Sequence, residues 1–143
     1  MLKGILAIAG QPGLYRLVAE ARSRIIVESL INGKKLPVSA SAKISSLEDI
    51  AIYTIENDVP LKDVLKSIHD HENGGTALDP KSTPAELKKY FRTVLPTYDE
   101  GRVYISDLKK VLTWYNILQE NSLLDFTQED PDNNEKEDNP DSE

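Results

Sequence analysis

Cysteine is absent from the 143-residue chain. This removes disulfide frameworks, thiolate metal centres and cysteine nucleophiles, and it fits a reducing cytosol. Histidine is nearly as scarce, with two residues, and aromatic side chains make up only 6% of the chain. No apolar run approaches the roughly 18 residues of a membrane-spanning helix, because glycine, proline or a charge interrupts each one. The Walker, GxGxxG, GxSxG and HExxH patterns are missing too. Phosphate cradling, dinucleotide binding, serine hydrolysis and zinc proteolysis therefore lack their usual signatures, and the expectation is a protein that is not an enzyme and carries no cofactor.

The charge that is present is unevenly spread. Residues 1–58 hold 7 basic and 6 acidic side chains, and residues 59–124 hold 9 of each. Residues 125–143 hold 1 basic and 9 acidic side chains, so the formal net charge of −7 belongs to this end of the chain. It has no apolar residue after Phe126 and cannot bury enough surface to offset its ordering entropy; a disordered acidic tail is expected over 125–143.

Residues 1–57 read as strands. Gly4 to Ala9, Leu14 to Ala19, Arg24 to Ile31, Leu36 to Ser39 and Ile50 to Ile55 are short apolar or β-branched runs. Ala7-Ile8-Ala9 superficially suggests a signal-peptide cleavage site, but the apolar stretch before it is short and runs into Gln11-Pro12-Gly13, so it reads as a first strand. Gln11-Pro12-Gly13-Leu14 suits a type II turn, and Asn32-Gly33 suits a type I′ hairpin turn. Ser46 to Asp49 could form one helical turn. Five short strands in so few residues predict a small SH3-like antiparallel barrel.

Residues 58–124 change period from two to 3.6. Leu61, Val64, Leu65 and Ile68 form one stripe behind Pro60. Thr83-Pro84-Ala85-Glu86 is a capping-box pattern that leads into Leu87, Tyr90, Phe91, Val94 and Leu95. A third helix after Ser106 carries Leu108, Val111, Leu112, Tyr115 and Leu118. Between the helices, Leu78 is expected to meet Val103 or Ile105 in a small paired stretch. The fold class is therefore α+β: a barrel over 1–57, a three-helix unit over 58–124, and the tail. Each folded half is near 60 residues, a size that buries only about 60% of the unfolded surface, so the two halves should pack together.

Few residues suggest chemistry. His69 and His71 stand two apart, about 200° around a helix, so they do not share a face as metal ligands would. Read as a calcium loop, Asp70 to Lys81 places Lys81 where a bidentate Glu belongs. Gly10-Gln11-Pro12-Gly13 has the bare GxxG spacing of a KH loop but follows a strand, so it reads as a turn. The first half also holds a basic set: Lys3, Arg16, Arg22, Arg24, Lys34, Lys35 and Lys43, with Tyr15 and Tyr53 available for stacking. Arg16, Arg22, Arg24, Lys34, Lys35 and Tyr15 would form a nucleic-acid face only if they cluster, and the six carboxylates of the same segment favour an ordinary solvated surface. Trp114 and Ile117 lie beside the main stripe of the third helix, as contacts to the barrel or as a protein-binding patch.

The opening Met1 to Tyr15, the Asn32-Gly33-Lys34-Lys35 hairpin and Ser46 to Tyr53 resemble a bacterial family of small proteins classed as a domain of unknown function. The likeness covers most of residues 1–120. It implies a bacterial cytoplasmic protein and brings no ligand residues with it. The leading expectation for function is a non-enzymatic adaptor that binds a protein partner. The alternative is an RNA- or DNA-binding module that uses the basic residues, masked by the acidic tail. No membrane association is expected.

Overall fold

A computed structural model describes residues 2–11, 13–39 and 41–126. Of the tail expected over 125–143, Asp125 and Phe126 are described, and Phe126 packs against the folded core instead of lying free; residues 127–143 lie outside the described residues. The architecture is α+β. Strands β1 (Ile5–Ile8), β2 (Tyr15–Glu20), β3 (Arg24–Ser29), β4 (Lys35–Ser39) and β5 (Ile44–Ser46) form an antiparallel sheet in the order β4-β3-β2-β1-β5. A 3-10 turn at Leu47–Asp49 leads into a two-stranded ribbon, β6 (Ala51–Tyr53) and β7 (Asp58–Pro60). Helices α1 (Leu61–His71), α2 (Pro84–Val94) and α3 (Ile105–Glu120) follow.

The SH3-like barrel expected from the strand count is not formed, because the sheet is open and β4 and β5 are its two edges. Two features account for this. Ile44–Ser46, hidden in a small and polar stretch, pairs with β1 and takes the place expected of a later strand. The Ile50 to Ile55 run instead pairs with Asp58–Pro60 in its own ribbon.

The sheet nevertheless curls. Val18 is an extra residue at the register shift between Leu17 and Ala19, and such a bulge increases local twist. Ile8, Tyr15, Val27 and Val38, one from each of four strands, gather into a small core on one face. Strand alternation sends Leu6 and Ile8 into this core and turns Ile5 and Ala7 toward the helices.

Turn chemistry is partly as read. Gly13 has φ +82°, the sign that the third position of a type II turn requires, while Pro12 lies outside the described residues. The β3–β4 hairpin forms at Asn32-Gly33, but not as a two-residue type I′ turn. Its loop spans residues 30–34 and Gly33 alone of these has positive φ. The Ser29 hydroxyl oxygen accepts from the Ile31 and Asn32 N–H groups, and the Leu30 N–H donates to the Leu14 carbonyl. Leu30 also packs on the main core, which a tighter turn would prevent.

That main core joins both halves of the chain. Leu2, Ile5, Leu14, Leu47 and Ile52 meet the stripes of all three helices, including Leu65, Phe91 and Leu112. The capping box at α2 is present: Thr83 Oγ1 accepts from the Glu86 N–H, and the Glu86 carboxylate accepts from the Thr83 N–H. Edge-to-face contacts link His71 to Tyr90, Tyr90 to Phe91 and Phe91 to Tyr98, with centroids 5.5, 6.1 and 6.0 Å apart. The loop pairing expected at Leu78 is replaced by one at Tyr98, which bridges to Thr54 beside β6. The Thr54 hydroxyl closes the β6–β7 turn by bonding to Asn57, and the α2–α3 loop lies along it.

Because one core spans both halves, unfolding followed by Trp114 fluorescence and by far-ultraviolet circular dichroism is expected to trace a single transition. Leu47→Ala should lower stability by about 2–5 kcal/mol without separating the two signals. Burial, and after it the hydrogen bond donated to Glu72, raise the pKa of Tyr90 above its ordinary value. The native state then keeps a proton that the unfolded chain releases at about pH 10. Its contribution is complete below that pH and falls as pH rises further. Urea midpoints from pH 8 to 11 should therefore decline less for Tyr90→Phe than for the native chain.

Candidate binding trough

Helix α3 carries two apolar flanks. Leu108, Val111, Leu112, Tyr115 and Leu118 face the main core, as their spacing predicts. Ile117 is buried as well, and Trp114 is partly buried against the same core. Ile117 approaches the β1–β2 turn closely: a Cβ placed on Gly13 would stand 3.8 Å from its Cδ1. Toward the C-terminal end of α3, hydrogen bonds hold the assembly. Tyr115 donates to the Gly75 carbonyl at 2.7 Å and Asn121 Nδ2 to the Leu30 carbonyl at 3.1 Å.

Toward the N-terminal part of α3 the helix and the sheet diverge. The gap is a cleft of about 550 Å³ lined by Ala7, Ile8, Ala9 and Ile50 on one side and Lys109, Lys110, Thr113 and Trp114 on the other, with Lys43 and Ser45 from the β5 edge. A recess of about 160 Å³ shares Ile50, Lys110 and Trp114 with it and adds Ala51, Ile52, Tyr53, Val103 and Asp107. Together they make a trough along α3 with Trp114 in the middle.

The electrostatics of the trough are one-sided. Lys43, Lys109 and Lys110 line the larger cleft, where no carboxylate of the described residues does. Among the described residues none of these three ammonium groups makes an ion pair. The arginines of the α2–α3 region are committed to carboxylates. Arg92 binds both oxygens of Glu100, at 2.8 and 3.0 Å, and Arg102 Nε donates to Asp99 at 2.9 Å. The Arg102 bond, joined by the Gly101 N–H, holds the Asp99 carboxyl below the usual carboxylate range. Arg102 also covers the Tyr53 ring, 4.4 Å from its centroid, and so fixes that end of the recess. The acid on the trough wall, Asp107, is used locally: its carboxylate accepts from the Tyr104 N–H at the start of α3.

The basic residues singled out in the sequence are arranged differently. Arg22 and Arg24 stand at one end of β3, and Lys34 and Lys35 at the other, separated by about 13 Å of strand. Arg16 and Lys35 flank Glu28 across neighbouring strands, an alternation of sign that balances charge locally. The Tyr15 ring is 6% exposed within the small core, so stacking on a base would require it to leave that core. Of the wider basic set, Lys43 alone joins the trough lining. Lys109 and Lys110 were not singled out from the sequence, although Lys110 precedes Trp114 by four residues and so shares its helix face. His69 and His71 contact different rings, Phe126 and Tyr90.

Residues 2–47 match a family model described as Domain of unknown function (DUF5606), and residues 50–118 match Domain of unknown function (DUF6852). A Bacteroides vulgatus protein solved by solution NMR is 45% identical, over 88% of this chain and 91% of that one, with a TM-score of 0.74. The chain belongs to this bacterial family. The two family models meet at the 3-10 turn, and the main core runs across that junction. No curated protein matches the chain. No helix among the described residues is long and apolar enough to cross a membrane.

Because the three trough lysines are unpaired among the described residues, replacing Lys43, Lys109 and Lys110 together by Gln is expected to leave the melting temperature within about 2 °C of the native value in differential scanning calorimetry.

Proposed function

We propose that this protein is a non-enzymatic interaction module that takes an acidic, partly apolar segment of a protein partner into the trough along α3. The observation that carries this reading is the juxtaposition of Trp114 with Lys43, Lys109 and Lys110. An apolar floor rewards a buried side chain, and unpaired ammonium groups at the rim reward carboxylates. The elongated shape, running from the β5 edge past Trp114 to Tyr53, suits a length of chain better than a compact metabolite. Aromatic anchors flanked by charge are the usual energetic centre of such contacts. The proposed setting is the bacterial cytoplasm, as the sequence resemblance implies.

A nucleic acid would compete for the same cations, so the experiment has to separate the two partners. The full chain and the Lys43, Lys109, Lys110→Gln variant are immobilised, exposed to bacterial lysate with and without nuclease, and the retained proteins identified. The expected result is a protein that survives nuclease, is lost from the variant and from about 0.5 M salt, and contains an acidic segment that as a peptide shifts Trp114 emission. Equal retention by the variant would remove the trough from the reading. Loss on nuclease treatment would replace it with nucleic-acid binding.

A further inference from the structure

The family shown by the comparisons assigns no occupant to the trough, yet the chain itself carries a ligand of the complementary charge. We infer that residues 127–143 are an intramolecular competitor for the trough, held by Lys43, Lys109 and Lys110. This rests on the proposed reading of the trough as a site for acidic segments. Three observations support it.

The first is charge. Residues 127–143 carry 8 acidic side chains and 1 basic one, whereas the larger cleft, among the described residues, is lined by three lysines and no acid. The second is reach. The described chain ends at Phe126, packed edge-on against His69 at 5.2 Å beside the end of α1. Seventeen further residues extend at most about 60 Å, more than twice the roughly 24 Å length of α3. The third is composition. The segment contains no aromatic, Leu, Ile, Val or Met side chain, so it can neutralise the lysines but, beyond the small rings of Pro131 and Pro140, offers little to bury on Trp114.

This last point defines what the competitor does. Tethering gives the segment an effective concentration in the millimolar range, which makes weak electrostatic contacts sufficient for occupancy. A partner that offers carboxylates alone meets an equivalent occupant already in place. One that adds a buried apolar side chain gains a contact the segment cannot make, and displaces it. The segment thereby raises the selectivity of the trough for partly apolar partners and screens its lysines from purely polyanionic ones.

The test uses the full chain in two forms: native, and with every Asp and Glu from Glu129 to Glu143 changed to Asn or Gln. A synthetic peptide of residues 127–143 is titrated into each at about 20 mM salt, where charge interactions are weakly screened, by calorimetry and by the emission of Trp114, the single tryptophan. The expected result is binding to the neutralised form at least tenfold tighter than to the native chain. Adding Lys109→Gln and Lys110→Gln to the neutralised form should abolish it, and so should about 0.5 M salt. Equal affinity for both forms would overturn the inference while leaving the trough a site for acidic segments. Binding to neither form, with lysine-dependent capture of a protein partner retained, would likewise overturn this inference alone. Absence of both would overturn the inference and the proposed function together.

Discussion

Helix α3 has to bury two flanks at once, and the rest of the fold is arranged around that requirement. Its main stripe completes the core with α1 and α2, while Ile117 and Trp114 turn toward β1 and the β1–β2 turn. Sixteen residues of helix thus form a wall shared by the sheet and the helical unit. Neither half has a core large enough to be comfortable alone at its size, so the shared wall supplies the burial that each lacks. The bonds from Tyr115 to Gly75 and from Asn121 to Leu30 hold the far end of the wall in place.

The same constraint produces the trough. A straight helix laid against a curled sheet touches it over a limited length, because the sheet bends away. Ile117 comes into ordinary contact range of the β1–β2 turn at Gly13, and from there the cleft runs toward Lys109 and Lys110. Trp114 stands where contact gives way to space, which is why it is partly buried rather than sealed. The open end carries charge of one sign because Lys109, Lys110 and Lys43 line it without an ion-pair partner among the described residues.

Ion pairing also explains why total charge is a poor guide to this protein. An acidic chain presents a basic trough, since most of its surplus carboxylates lie beyond Phe126. Within the folded region the row Arg16, Glu28, Lys35 shows the opposite case, in which basic residues that look available in sequence meet a carboxylate on the neighbouring strand.

Local patterns were legible wherever the physics is local. The three helical stripes, the capping box at Thr83, the helical turn after Ser46 and the left-handed Gly13 all follow from spacing and backbone preference, and the structure contains each of them. Trp114 and Ile117 could be picked out because a second flank on a helix is visible as a phase offset. Pairing was not legible in the same way. Ile44–Ser46 is too short and polar to announce a strand, and its partner β1 lies more than thirty residues earlier. The ribbon of β6 and β7, and the open sheet that results, depend on that choice of partners. The trough is likewise a tertiary product: Lys43 and Lys109 are far apart in the chain, and they line one cleft because sheet curvature and helix placement leave a gap between them. Sequence by itself determined which faces must be buried, since burial follows the period of the apolar residues; only the tertiary structure decided which faces meet and where they part, since that depends on how a curved sheet and a straight helix fit.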